Sequence, residues 1–212
     1  MALLLALAPP AARAQQPSPD ILVFGDSLSA GYGIQVEQGW VSLLARRIAQ
    51  SGYGFKVINA SVSGETTAGG LGRLPHALEL QRPRILVLEL GANDGLRSLP
   101  LASTRDNLER MIALAQARGI TVLLVGMRMP PNYGERYTAA FQAIYTDLAI
   151  QHELALVPFL LDKVALQPAL MQADGIHPNE RGQPLLLDDV WPKLAPLLRT
   201  AVSQDAAHAT AR

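Results

Sequence analysis

Serine, histidine and aspartate occur in this sequence in an arrangement that could support acyl transfer. Ser27 lies in the tripeptide 25–27, Gly-Asp-Ser, directly after the apolar run 21–24. Late in the chain Asp174 precedes His177 by three residues, so both side chains can point the same way from one turn. A histidine whose second ring nitrogen is held by a carboxylate can act as a base toward a serine hydroxyl. These residues predict a nucleophile, its base and an orienting carboxylate.

Each of these features also has an ordinary structural interpretation when it is taken alone. Asp26 and Ser27 could cap backbone N–H groups at a strand-to-helix turn, and a histidine beside a proline is often a surface residue. Acyl transfer further requires donors for the oxyanion that develops on the substrate carbonyl. The backbone N–H groups of Ser27 and Gly64 and the side-chain amide of Asn93 are candidates for this oxyanion hole. We expect Asp26 to organise the turn rather than to pair with Ser27.

Hydrophobic periodicity places these residues in loops that follow buried strands. The strands are predicted at 21–24, 55–60, 84–90, 120–125 and 155–158. The helices are predicted at 38–50, 68–80, 104–118, 135–152 and 182–201. Such alternation favours a parallel sheet with helices on both faces, right-handed crossovers and a site at the carboxyl ends of the strands. The candidate residues would then meet at one edge of the sheet.

Composition restricts the class of protein. The chain has 212 residues, of which 49% are hydrophobic and 17% are charged, so one folded domain, predicted at 20–202, is the simplest organisation. Lys and Arg number 18 against 18 Asp and Glu, which gives no electrostatic reason to expect nucleic acid or an anionic membrane surface as a partner. Cysteine is absent, so disulfides, thiolate metal sites and a cysteine nucleophile are excluded.

The two ends of the chain are predicted to lie outside the folded domain. Residues 1–8 are a short apolar run, and Ala12-Arg13-Ala14 has the small-x-small pattern of a signal-peptidase site. We therefore expect a signal peptide at 1–14, a linker at 15–19 and a periplasmic or secreted protein. Eight apolar residues are too few to span a bilayer, so no transmembrane segment is expected. No basic residue precedes the run, which departs from a complete signal, and residues 203–212 are predicted to be a disordered tail.

Residues that could contact a substrate are less sharply indicated than those that could do chemistry. The loop 126–134 is unusually apolar, so it could line a substrate groove or pack over the edge of the sheet. Ile176 lies between the two polar residues of the late turn. The candidates for substrate binding are Asp94, Met129, Pro130, Tyr133 and Ile176.

Taken together, four blocks of this sequence resemble the motif blocks of the SGNH, or GDSL, hydrolases in the expected order. The blocks are Gly25-Asp26-Ser27-Leu28, Gly64, Gly91-Ala92-Asn93-Asp94 and Asp174-Gly175-Ile176-His177. The resemblance covers about residues 21–198, nearly the whole predicted domain. It is greatest to the branch of the family that contains bacterial multifunctional thioesterase I, arylesterase and lysophospholipase.

The resemblance implies a fold, a set of roles and an activity. The fold would be a flavodoxin-like three-layer α/β/α sandwich with a mostly five-stranded parallel sheet. Ser27 would be the nucleophile, His177 the base and Asp174 its partner, while Ser27, Gly64 and Asn93 would form the oxyanion hole. The family implies that no metal and no cofactor are needed and that the protein is periplasmic. It also implies hydrolysis of small-molecule esters and thioesters, with lysophospholipids among the substrates. Nothing in the sequence calls for more than a monomer.

Two other functions remain open at this point. A metal-dependent phosphoesterase could use Asp26, Asp94, Asp174 and His177 as ligands, although the chain has no basic cluster for phosphate and no Gly-x-x-x-x-Gly-Lys loop. A ligand-binding module without catalytic activity could use the same fold, because a fold does not determine a function. The presence of a candidate for every catalytic role argues against this second alternative.

Overall fold

Five β-strands form one parallel sheet in the computed structural model, which describes the backbone of residues 20–210 and the side chains of residues 20–203. The strands are β1 Asp20–Gly25, β2 Lys56–Asn59, β3 Ile85–Glu89, β4 Thr121–Val125 and β5 Ala155–Val157. Their spatial order is β2-β1-β3-β4-β5, and every neighbouring pair is parallel. The five predicted strands are confirmed, and no end differs from the prediction by more than one residue.

Helices cover both faces of the sheet in the described part of the chain. They are α1 Ser27–Ala30, α2 Trp40–Ser51, α3 Thr67–Gln81, α4 Ala92–Leu96, α5 Leu101–Gln116, α6 Glu135–Gln151 and α7 Gln183–Thr210. Helices α2 and α7 pack together on one face, whereas α3, α5 and α6 pack on the other. The expected flavodoxin-like three-layer α/β/α architecture is therefore confirmed.

The two central strands explain why their sequences are apolar without interruption. Residues 21–24 of β1 and 85–88 of β3 are all fully buried, since helices cover them on both sides. After β1 the chain passes to α2 on one face, and after β3 it passes to α5 on the other. The loops that follow β1 and β3 thus diverge, and the crevice between them is where open α/β sheets bind ligands.

Two parts of the fold differ from the sequence-based expectation. The short helices α1 and α4 were not predicted, because four or five residues are too few to show a helical period. Helix α7 continues to Thr210, whereas a disordered tail was expected after residue 202. The stretch 203–210 contains three alanines and neither glycine nor proline, so nothing in it ends the helix. The predicted signal peptide and linker, 1–19, lie outside the described residues.

Candidate active site

Ser27 is presented by a sharp turn at the carboxyl end of β1. It is the first residue of α1, and Asp26 is the N-cap of that helix. The Asp26 carboxylate accepts a hydrogen bond from the backbone N–H of Leu28, with Oδ1 and N 3.0 Å apart. Asp26 therefore shapes the turn, as expected, and leaves Ser27 half-buried at the crevice.

The structure brings Ser27, His177 and Asp174 together in one line. His177 Nε2 lies 2.8 Å from Ser27 Oγ, and His177 Nδ1 lies 2.7 Å from Asp174 Oδ2. An ionised carboxylate can only accept hydrogen bonds, so Nδ1 carries the proton that faces Asp174. Nε2 is then left as the acceptor for the hydroxyl proton of Ser27. This is the geometry of a serine with a base that a carboxylate holds in the required tautomer.

Asp174 keeps its charge because it is exposed to water and accepts hydrogen bonds from the backbone. Its Oδ1 accepts hydrogen bonds from the backbone N–H groups of Ile176 at 2.9 Å and His177 at 3.0 Å. The His177 backbone N–H, followed by its imidazole, lowers the pKa of Asp174 to about 2. Asp174 is therefore ionised at every pH at which the protein would work.

Two residues that the sequence analysis did not single out hold the late turn in place. The backbone N–H of Gln172 donates to the carbonyl of His177 at 2.7 Å. The side-chain amide of Gln172 donates to the carbonyl of Tyr32 at 2.7 Å, which ties the turn to the segment after α1. The ring of Tyr32 also lies against the imidazole, with centroids 4.7 Å apart. The two contacts that involve Tyr32 join residues about 140 positions apart, so no local spacing could have indicated them.

The three candidate oxyanion donors lie in the segments that follow β1, β2 and β3, Ser27 in α1, Gly64 in a loop and Asn93 in α4. Gly64 has a φ of +79°, a conformation that favours glycine, and its carbonyl accepts from Arg97 Nη2 at 3.2 Å. Within the described residues, the backbone N–H groups of Ser27 and Gly64 donate to no protein acceptor. Asn93 Nδ2 donates to Glu65 O at 3.0 Å and to Asp26 Oδ2 at 3.2 Å. The Asn93 amide thus connects the other two segments.

The structure does not place Asp94, a candidate for substrate binding, on the surface of the crevice. Its side chain is buried, and Oδ2 accepts from the backbone N–H of Thr67 at 2.9 Å while Oδ1 accepts from the Thr67 hydroxyl at 2.5 Å. Thr67 is the first residue of α3. Asp94 therefore satisfies donors at the start of this helix and does not face the crevice.

The loop 126–134 divides between the two interpretations that the sequence left open. Met129 is buried and its sulfur packs against Gly95, where a Cβ would collide with it, so the structure shows a packing contact for this candidate rather than an exposed face. Tyr133 is half-buried, and its hydroxyl donates to the carbonyl of Leu96 at 2.9 Å. Pro130 and Ile176 are exposed and remain candidates. This loop mainly packs against α4 rather than lining an open groove.

Two carboxyl groups are buried directly beneath the turn that carries Ser27. Asp26 and Glu89 are both fully buried, and desolvation is the largest cause that raises the pKa of each. The pKa of Asp26 rises to about 6, and that of Glu89 lies well above its usual value. Glu89 was not singled out because it falls in the apolar run 84–90. An acidic residue within a strand that is otherwise buried was the signal that could have identified it.

The residues proposed for a metal-dependent enzyme are not assembled into a ligand set. Within the described part of the chain, no group of three or more His, Cys, Asp or Glu side chains is placed to hold a metal ion. Asp94 is hydrogen-bonded to Thr67, and Asp174 is hydrogen-bonded to His177.

Among the residues that the structure describes, no helix combines the length and the apolar character that crossing a membrane requires.

Comparison with known proteins identifies the family. The sequence model of the GDSL-like lipase/acylhydrolase family matches residues 23–185, which include every candidate catalytic residue. The chain belongs to this family. This hydrolase is 50% identical over 184 residues to esterase TesA of Pseudomonas aeruginosa, which covers 87% of this chain and 92% of the relative. The resemblance seen in the four sequence blocks is confirmed.

Two further comparisons concern a second relative and a solved structure. The hydrolase is 42% identical over 178 residues to thioesterase 1/protease 1/lysophospholipase L1 of Escherichia coli strain K12, covering 84% of each chain. A crystal structure of TesA matches it with a TM-score of 0.83 and 51% identity, covering 84% of this chain and 99% of that chain. The relatives therefore share both the sequence and the architecture of nearly the whole described domain.

Proposed function

We propose that this hydrolase cleaves carboxylic esters and thioesters through an acyl-enzyme intermediate on Ser27. The observation that carries the proposal is the continuous line from Ser27 through His177 to Asp174, with contacts of 2.8 and 2.7 Å. A hydroxyl in hydrogen-bond contact with a neutral imidazole nitrogen can be deprotonated as it attacks. Membership of an acylhydrolase family supports the same chemistry.

The reaction proceeds in two steps that use one base. In the first step Ser27 Oγ attacks the acyl carbon while its proton passes to His177 Nε2, and Nε2 then gives this proton to the leaving alcohol or thiol. In the second step Nε2 takes a proton from water, whose oxygen attacks the acyl carbon. The bond between this carbon and Ser27 Oγ then breaks, Nε2 returns the proton to Oγ, and the carboxylic acid is released. The charge of Asp174 stabilises the imidazolium that forms in each step.

The oxyanion is proposed to be stabilised by donors from three segments. The backbone N–H groups of Ser27 and Gly64 have no protein acceptor among the described residues, so they are available to a ligand. Both hydrogens of the Asn93 amide are already engaged, by Glu65 O and by Asp26 Oδ2. We infer that the longer contact, to Asp26 at 3.2 Å, is shared with the oxyanion when substrate binds.

The substrate class follows from the relatives and from the exposed rim of the site. One relative is named an esterase and another a thioesterase and lysophospholipase. We propose that aryl esters, acyl thioesters and lysophospholipids are accepted, without metal or cofactor. Pro130 and Ile176 are exposed and could contact the acyl or leaving group, whereas Tyr133 supports the loop beside them.

Location and assembly are part of the same proposal. The apolar run 1–8 followed by Ala12-Arg13-Ala14 supports export to the periplasm. We propose a monomer as the active unit, since Ser27, His177 and Asp174 contact one another within one chain and need no residue from a second copy.

The proposal is tested by replacing the nucleophile. Ser27→Ala should abolish turnover of an activated aryl ester and of an acyl thioester, while circular dichroism shows an unchanged fold. Ser51→Ala removes an exposed hydroxyl at the end of α2 and should retain full activity. Assays with and without a chelator complete the design. Turnover of either substrate by Ser27→Ala would contradict the proposed mechanism. Loss of activity of the unmodified protein in the presence of the chelator would also contradict it.

A further inference from the structure

Glu89 makes contacts on both sides of the proposed nucleophile without touching it. It ends β3 and is paired in register with Gly25, the residue that ends β1. Its Oε2 accepts a hydrogen bond from the backbone N–H of Asp26 at 3.3 Å and from the hydroxyl of Ser29 at 2.6 Å. One carboxyl oxygen therefore binds the residue before Ser27 and the residue two positions after it.

The space around this carboxyl group allows little movement. Glu89 and Asp26 are fully buried, and Ser29 is almost so. A Cβ at position 25 would collide with Glu89 Oε2 and would come within 2.9 Å of Ser29 Oγ. Gly25 is therefore required for the close approach of the turn to Glu89, in addition to any role in leaving the strand.

The surroundings also indicate that Glu89 is uncharged. Its other oxygen, Oε1, is buried and has no hydrogen-bond partner, and no ion pair between described residues includes Glu89. A buried carboxylate without a counter-charge is costly, whereas a neutral carboxylic acid is tolerated. Burial and the nearby Asp26 raise the pKa of Glu89 well above its usual value, in agreement with this geometry.

We propose that Glu89 is a positioning residue, a neutral carboxylic acid that fixes the backbone of Asp26 and the start of α1 to β3 and so aims Ser27 Oγ at His177. The inference rests on the proposed function. Because productive attack depends on the direction of Ser27 Oγ, a small displacement of this turn should lower the rate of the chemical step more than substrate binding.

The test compares two substitutions at position 89. In Glu89→Ala the buried N–H of Asp26 and the hydroxyl of Ser29 lose their acceptor, and kcat should fall by about 10²-fold with little change in KM. Glutamine has the shape of a neutral carboxylic acid and can accept both hydrogen bonds, so Glu89→Gln should retain most of kcat. Ser29→Ala removes only one of the two contacts and should lower kcat by less than Glu89→Ala.

A matched control separates positioning from general stability. Leu78→Ala opens a space in the core near the end of α3, away from the turn, and should lower Tm without changing kcat. Concentrations of competent enzyme are set by titration with a serine-reactive phosphonate. If Glu89→Ala does not fold, the comparison of Glu89→Gln and Ser29→Ala with the unmodified protein still applies. Unchanged kcat in Glu89→Ala, or equal losses in the alanine and glutamine variants, would overturn the inference.

The neutral state has its own signature. At pH 8, where Asp26 with a pKa of about 6 is ionised, infrared spectra of the unmodified protein should show the carbonyl stretch of a buried protonated carboxyl group. The band should be missing in Glu89→Gln, and its absence from the unmodified protein would contradict the inference. If the unmodified protein does not hydrolyse esters at all, it is the proposed function that fails, since this spectroscopic test does not depend on activity.

Discussion

The carboxyl groups on the two sides of Ser27 are placed in opposite environments. Asp174 lies in the late turn with 37% of its side chain exposed, and backbone N–H groups lower its pKa to about 2. Asp26 lies in the turn that carries Ser27. It is fully buried, and desolvation raises its pKa to about 6. The same chemical group is thus kept charged where donors and water stabilise it and is pushed toward neutrality where they do not.

We infer from this difference that the late turn with Asp174 and the buried turn with Asp26 have different functions. Only a group that remains ionised can stabilise the imidazolium of His177, so in the proposed mechanism the exposed region supplies the charge. The buried region, which Asp26 forms with Glu89, supplies shape, because its carboxyl groups hold backbone N–H groups of the turn. Asn93 connects the two functions, since its amide is bound to Asp26 and is also the proposed donor to the oxyanion.

Removing the charge in the exposed region should have the largest effect. Asp174→Asn leaves a side chain of similar shape, but the neutral amide no longer fixes the tautomer of His177. We expect kcat for an aryl ester to fall on the order of 10⁴-fold, with the fold retained. Asp162→Asn, at an exposed aspartate beside Arg128, is the matched control and should leave kcat unchanged. A loss in Asp174→Asn no larger than in this control would show that the charge is not used.

Removing the connection between the regions should have an intermediate effect. Asn93→Ala deletes one proposed oxyanion donor, so kcat should fall on the order of 10²- to 10³-fold while KM changes little. The exposed Asn132→Ala serves as a control and should be active. A rise in KM at constant kcat would instead make Asn93 a residue that binds the substrate in its ground state.

The buried region should be visible in the pH dependence of stability. The pKa of Asp26 is higher in the folded protein than the usual 3.8, so its contribution to the free energy of unfolding is full below about pH 4 and is lost as the pH rises through 6. Asp174, whose pKa is lowered to about 2, contributes stability that is fully present above about pH 4 and is lost as the pH falls through 2. Urea unfolding of the unmodified protein and of Asp26→Asn checks this.

From pH 4 to pH 6 the free energy of unfolding of the unmodified protein should fall relative to that of Asp26→Asn, by no more than about 3 kcal/mol. In Asp174→Asn the free energy of unfolding should change between pH 4 and pH 6 by as much as it does in the unmodified protein. A difference between the unmodified protein and Asp26→Asn that stays constant from pH 4 to pH 6 would mean that Asp26 is not destabilised in its charged form.

The fold was accessible from the sequence because its signals are local. The buried strands β1 and β3 are apolar without interruption, and α2, α3, α5 and α6 show helical periods between polar or glycine-containing breaks. Helices α1 and α4 were missed because their four and five residues are set by the turns at Asp26 and Gly91 rather than by an apolar face. The end of α7 was missed because no residue marks it.

The site was accessible only in part. The spacing of Asp174 and His177 and the Gly-Asp-Ser turn placed the proposed catalytic residues, whose contacts the structure now describes. Sequence could not show that Asp94 turns away to cap α3, because a polar residue after a strand can face either the crevice or a neighbouring helix. Gln172 was missed because its role depends on a contact with Tyr32, which lies in a distant segment of the sequence.

The account depends most on the claim that Ser27 becomes covalently acylated, and labelling with a serine-reactive phosphonate ester tests this directly. Peptide mass spectrometry of the inhibited protein should find one adduct per chain, located on Ser27. Labelling should be absent in Ser27→Ala and much slower in Asp174→Asn, because the latter retains the nucleophile and lacks the oriented base. An adduct on another residue, or inhibition without any adduct on Ser27, would contradict the account.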